Sequence, residues 1–179
     1  MQPMVNIALR AAREAGEMIV KSADNLDLIK VDEKGRHDFV TEVDRRSEET
    51  IIYHIKKAYP DHAFLGEETG RSGDLESDVE WIIDPLDGTT NFINGIPHFC
   101  ISVGLVLDNE IVSGVIFDPI KDEIYYAEKN SGAYMNNKSI RVSKKREISQ
   151  FASLYGLWNS NGINIQSNLV VKSFFCRII

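Results

Sequence analysis

Two aspartates, a glycine and two threonines crowd one stretch, Trp81-Ile-Ile-Asp84-Pro85-Leu86-Asp87-Gly88-Thr89-Thr90-Asn91-Phe92. Trp81, Ile82 and Ile83 read as the end of a buried strand. Asp84 then places a carboxylate at the carboxyl end of that strand, where open α/β sheets gather their ligands. Pro85, with a fixed φ and no N–H, predicts a turn. Asp87 follows on that turn, near enough for the two carboxylates to hold hard cations through oxygen. Gly88 lets backbone approach a ligand, and Thr89, Thr90 and Asn91 read as the start of a short helix whose free N–H groups suit a phosphate. Hard-metal ligands beside an anion cradle are the equipment of metal-assisted phosphoryl hydrolysis. Asp84-Pro85 or Asp87-Gly88 alone reads as an ordinary surface turn. The chemistry rests on the combination.

Two acidic segments upstream call for positioning elements of their own. Thr41, with Asp44 three residues on, reads as a capping box opening a helix to about Tyr59. Ile51, Ile55 and Ala58 line its predicted buried side, and Pro60 marks its end. Capping by itself explains Asp44. Ala63, Phe64 and Leu65 predict a strand leading to Gly66-Glu67-Glu68. Adjacent glutamates are commonly solvated surface, but these follow a strand end and a glycine, as Asp84 follows Ile83. Gly70 to Asp78 reads as a polar, solvent-facing loop.

The remaining elements supply packing. Met4, Ala8, Ala11, Ala15 and Met18 predict a helix over residues 3–21 with one apolar stripe. Leu28, Ile29 and Val31 read as a short strand, followed by a polar loop in which Lys34 and His37 are solvated. Beyond Pro97 the pattern turns to antiparallel β. Runs at 99–107 and 111–117 are joined at Asp108-Asn109-Glu110, and a third strand spans 122–128. A closing hairpin follows around Asn136-Asn137. Asp118-Pro119 repeats the acidic dipeptide and reads as a strand terminator.

A chain of 179 residues with 43% hydrophobic residues can bury a core, and its formal net charge of −7 speaks against nucleic acid or an anionic membrane as a direct partner. No signal peptide or membrane span is evident, because Arg10, Arg13, Glu14 and Glu17 interrupt the N-terminal apolar run. Cys100 and Cys176 make no disulfide framework, so a reduced, cytoplasmic setting is expected.

The uninterrupted Asp84-Pro85-Leu86-Asp87-Gly88-Thr89-Thr90-Asn91 resembles the signature of the inositol monophosphatase family, Mg-dependent, lithium-inhibited phosphatases of small phosphomonoesters. Asp38-Phe39-Val40-Thr41-Glu42-Val43-Asp44 and Gly66-Glu67-Glu68 are similar to two further elements of that family. The resemblance implies an α+β fold, with helices layered on a mostly antiparallel sheet, over residues 1–145. It implies two or three Mg²⁺ per site, held by Glu67, Asp84, the Leu86 carbonyl and Asp87, with inhibition by lithium. Glu67, Thr89 and Asp44 are then catalytic, Glu67 and the Thr89 hydroxyl steering a metal-activated water. Glu68 supports them from behind. Substrate contacts fall to Glu67, Leu86, Asp87, Gly88 and Thr89. The implied substrate is a small phosphorylated polyol such as inositol 1-phosphate, and bound Mg²⁺ would offset its repulsion by an acidic protein. Homodimerisation is implied by analogy. Sugar bisphosphates and nucleotide 3′-phosphates are alternative substrates of related metal loops.

After residue 145 the pattern stops. The family continues into a second α/β layer with a Trp-Asp-x-Ala-Ala motif, whereas here Trp81 precedes Ile82 and Trp158 precedes Asn159. Residues 146–179 therefore read as a divergent tail from a truncated or frame-shifted gene, with the C-terminal layer missing. That leaves a second reading in a different class, a catalytically impaired remnant serving at most as a metal-binding or interaction domain.

Overall fold

The computed structural model of the chain describes residues 3–35 and 38–141. Helix α1 spans Pro3–Ala23 and buries Val5, Ala8, Ala11, Ala12, Ala15, Gly16 and Ile19. The inward stripe is thus centred on Val5 and Ile19. Met4 and Met18, expected on it, are half-buried at its flank. The small residues set how close the helix lies, since a Cβ on Gly16 would come within 2.5 Å of Phe117 Cε1. The strand expected at Leu28 and Ile29 is instead a 3₁₀ turn, Leu26–Leu28, closed by the Ile29 N–H donating to the Leu26 carbonyl at 3.1 Å. So short an apolar run has no period to separate the two forms. Strand β1 (Val31–Gly35) follows and pairs antiparallel with β2 (Asp38–Thr41).

Helix α2 (Glu42–Ala58) starts with the predicted capping box. Thr41 Oγ1 accepts from the Val43 and Asp44 N–H groups, and the Asp44 carboxylate accepts from the Thr41 N–H at 2.9 Å. Ile51 and Ile55 are fully buried, but Ala58 is exposed. The buried face extends towards the helix start instead, through Glu48, Ser47, Asp44 and Val43.

Eight further strands form one sheet: β3 (Ala63–Gly66), β4 (Gly70–Gly73), β5 (Val79–Asp87), β6 (Cys100–Leu107), β7 (Glu110–Asp118), β8 (Glu123–Glu128), β9 (Gly132–Met135) and β10 (Lys138–Ile140). Their order is β10-β9-β8-β7-β6-β5-β3-β4. The expected loop at 70–78 therefore begins as an edge strand paired antiparallel with β3. Backbone pairing suffices for so polar an edge, which shows no apolar alternation to read. Asp108 and Asn109 (φ 50 and 61), and Asn136 and Asn137 (φ 46 and 66), make the tight hairpin turns between β6 and β7 and between β9 and β10. Helix α1 packs on β6 and β7, α2 packs on β5, and the two helices pack on each other. Between them and the sheet lie Phe64, Trp81, Ile83, Ile101, Val103, Leu105, Val115 and Phe117. These sit at alternating, cross-strand registered positions and contribute roughly 1.5–3 kcal/mol each by burial. The result is α+β, helices layered on a mostly antiparallel sheet. Among the described residues no helix is long and apolar enough to cross a membrane. His37, Cys176, the expected boundary at 145 and the tail beyond it lie outside the described residues.

Candidate active site

Strands β3 and β5 are the one parallel pair among the described strands, in register from Ala63↔Glu80 to Gly66↔Ile83. Parallel neighbours point their carboxyl ends the same way, so the residues that follow, Glu67 and Asp84, emerge side by side. The Glu67 N–H donates to the Ile83 carbonyl at 3.1 Å and ties the two ends together. Two acids distant in sequence thus meet at one sheet edge.

Asp84 is 4% exposed, and neither of its carboxylate oxygens has a hydrogen-bond partner. Burial first, then the charges of Glu67 and Asp87, push its carboxyl well above the usual carboxylate range. The Leu86 backbone pulls weakly the other way. A buried, unpaired carboxylate is costly, and proteins commonly meet that cost with a metal ion.

Beyond Asp84 the structure corrects one expectation. Pro85 does not turn the chain; β5 continues to Asp87 through a bulge. Asp84 faces Ser102 and Asp87 faces Cys100, so Pro85 and Leu86 together oppose Ile101 alone. A bulge is where a strand tolerates a residue without an N–H. It also brings two residues three apart to the same side, where a regular strand would separate them. The Ser47 hydroxyl donates to the Pro85 carbonyl at 2.9 Å and holds the bulge against α2. The Cys100 thiol lies 3.9 Å from Asp87 Oδ2.

After the bulge, Gly88 adopts φ 104 and opens the short helix α3 (Thr89–Ile93), as expected from the sequence. A Cβ at Gly88 would come within 3.1 Å of the His98 carbonyl oxygen. Thr89 Oγ1 sits 2.8 Å from Asp44 Oδ1 and 3.0 Å from the Leu86 carbonyl oxygen. Asp44 is therefore both a helix cap and a site contact: Oδ2 closes the capping box while Oδ1 receives Thr89.

The sequence reading missed Ser47 and Glu48. Glu48 is fully buried and accepts from the Glu68 N–H, the Thr69 N–H and the Thr69 hydroxyl. The signal was present: both continue the helical face of Ile51 and Ile55 towards Asp44. Polar residues on that face were not read as part of it.

Among the described residues, no three His, Cys, Asp or Glu side chains form a ready-made metal cage. Mg²⁺ asks for less, keeping several waters and taking one or two carboxylates. The orphaned Asp84 oxygens, with the acids of Glu67 and Asp87 acting on them, fit a hard divalent cation. The Leu86 carbonyl, on the same bulge, is a further oxygen donor of the type such an ion takes.

This combination of sheet, bulge and acids agrees with the sequence comparison: the chain belongs to the inositol monophosphatase family, whose sequence profile matches residues 1–176. The chain is 49% identical over 148 residues to the Nus factor SuhB of Haemophilus influenzae, covering 83% of this chain and 55% of that protein. It is similar to the crystal structure of the extragenic suppressor protein suhB from Bartonella henselae, with a TM-score of 0.78 and 40% identity over 81% of this chain and 56% of that one. It is also similar to the Thermotoga maritima IMPase, with a TM-score of 0.72 and 35% identity over 80% of this chain and 55% of that one. The chain spans about half the length of the curated relatives it matches.

Proposed function

We propose that the chain forms the metal-binding half of a Mg²⁺-dependent phosphatase site for a small phosphomonoester, of which inositol 1-phosphate is the first candidate. Glu67, Asp84, Asp87 and the Leu86 carbonyl would hold the metal. Bound Mg²⁺ would supply Lewis-acid charge, making water a competent nucleophile near neutral pH and offsetting phosphate charge. The protein's own groups do the orienting. Asp44 anchors the Thr89 hydroxyl, which with Glu67 would aim a water at phosphorus. The Gly88 and Thr89 N–H groups, at the turn into α3, would receive phosphate oxygens. The observation that carries the reading is the pair of buried, unpartnered oxygens on Asp84. The test is phosphate release from inositol 1-phosphate across a Mg²⁺ titration, with Asp87→Asn as control and Li⁺ as inhibitor. Mg²⁺-dependent turnover that Asp87→Asn abolishes supports the reading. Folded, Mg²⁺-binding protein without turnover sinks it for this substrate, and sugar bisphosphates and nucleotide 3′-phosphates are then next in line.

A second reading has its own observation: relatives 43–49% identical carry the name Nus factor. On that reading the chain serves the transcription role the name denotes through protein contacts, with its acidic site a relic. Asp87→Asn protein that still associates with transcription components, from a parent that releases no phosphate, would favour it.

A further inference from the structure

Helix α2 reaches each segment of the site from one face. Asp44, Ser47 and Glu48 lie three and four residues apart, so they share a side of the helix, and all are buried. Asp44 receives the Thr89 hydroxyl, Ser47 donates to the Pro85 carbonyl, and Glu48 receives the Glu68 and Thr69 amides. Of these, Glu48 does the most with the least apparent motif. Its Oε2 accepts from the Glu68 N–H at 2.9 Å, and its Oε1 from the Thr69 N–H at 2.9 Å and the Thr69 hydroxyl at 2.5 Å. A carboxylate with three donors and no exposure is strongly held in place. Gly66 is shaped to it as well. A Cβ there would sit 2.4 Å from the Glu48 carboxyl carbon, though Gly66 has no positive φ to require glycine.

Between Gly66 and Glu68 stands Glu67, an exposed side chain with many rotamers. Burial cannot fix so exposed a side chain, so the backbone that carries it sets where it meets Asp84. We infer that Glu48 is a positioning residue, fixing the Gly66–Thr69 turn so that Glu67 stands against Asp84 at the start of the β5 bulge. This rests on the metal-site reading above and adds a residue to it, acting through the Glu67 backbone and touching neither metal nor substrate. Groups one step behind a metal ligand commonly alter metal affinity by about 10–100-fold.

Glu48→Gln tests it. The amide keeps the size of the carboxylate but turns an NH₂ towards one of the N–H donors. Two readouts are taken on folded protein: amide exchange by NMR, and Mn²⁺ binding by EPR, with Mn²⁺ standing in for Mg²⁺ through the same oxygen donors. The expected result is exchange at Glu68 and Thr69 faster by at least about tenfold, with β5 and β6 amides unchanged, and a Mn²⁺ dissociation constant raised by about tenfold or more. Faster exchange with unchanged Mn²⁺ affinity would make Glu48 merely structural and overturn the inference. So would wild-type protection at both amides. A parent chain whose Mn²⁺ binding is absent, or indifferent to Asp84→Asn, overturns the phosphatase reading, and the inference that Glu48 places Glu67 for a metal falls with it. Should Glu48→Gln fail to fold, the exposed Thr69→Val deletes one of the three donors, and Gly66→Ala presses a methyl onto the carboxylate. Each is expected to weaken Mn²⁺ binding by about threefold or more, and unchanged binding in both overturns the inference.

Discussion

Two Asp-Pro dipeptides occur in this sheet, one inside β5 and one at the end of β7, and they do opposite things. Asp84 and Asp118 are 4% and 8% exposed. Asp118 is fully occupied: Oδ1 accepts from the Ile120 and Lys121 N–H groups at 3.0 Å each, and Oδ2 meets Lys121 Nζ. Asp84 has no partner on either oxygen. The difference lies in what comes after the proline. After Pro119 the chain folds back, and its amides cap the aspartate. After Pro85 it runs on as a bulge whose carbonyl Ser47 holds, and no amide meets Asp84 within hydrogen-bond geometry. The buried Asp118 finishes its strand, while the oxygens of Asp84 keep the donor capacity on which the proposed metal site rests. Burial alone does not separate the two, and neither does the dipeptide.

Substitution at the two aspartates should separate their roles. The largest effect is expected for ligand linkage. Mg²⁺ at a hundredfold over its dissociation constant should stabilise the protein by about 2.7 kcal/mol, read as a rise in melting temperature. Asp84→Asn should abolish that rise and Asp118→Asn should leave it. The reverse pattern would mean that the wrong aspartate has been placed at the metal. Next, Asp118→Ala should lose about 2–3 kcal/mol in urea denaturation, because it strands two backbone N–H groups. In EDTA, Asp84→Asn should move the other way, gaining about 1–2 kcal/mol by removing an unpaired buried charge. Loss of stability there would show that Asp84 has partners after all.

The smallest effect belongs to a group between these extremes. The Trp81 indole N–H donates to His62 Nδ1 at 2.9 Å, which requires the neutral ring, and His62 stacks on Tyr59. Burial lowers the His62 pKa below 6.5, with Asp61 opposing. The folded ring thus binds its proton more weakly than the unfolded one. Its stabilising contribution is present in full above about pH 6.5 and is lost as pH falls through the lower folded value. Melting temperature should decline with acidification across that window more steeply in the parent than in His62→Phe. Equal slopes would assign the decline to other groups.

Much of this was legible in residue order because it depends on local chemistry. The capping box of Thr41 and Asp44 is a three-residue spacing, the hairpin at Asp108-Asn109 is a turn preference, and the helix opening at Gly88 follows from a residue without a Cβ. The strand-terminating role of Asp118 also followed from its neighbours. The misses share a cause of the other kind. The 3₁₀ turn at Leu26–Leu28 and the polar edge strand β4 lack a period long enough, or apolar enough, to read. The bulge at Pro85 exists because β6 is alongside to be paired with. Glu48 looks like one more charge on a helix until Gly66 and Thr69 are brought against it.

The sequence by itself determined the donor types, the caps and the alternation that makes one face of the sheet apolar, since each depends on residues a few positions apart. Only the tertiary structure decided that β3 and β5 run parallel, that Glu67 therefore stands beside Asp84, and that one face of α2 holds the site's segments together. Those are contacts between residues distant in the chain, and no local spacing encodes which strand lies next to which.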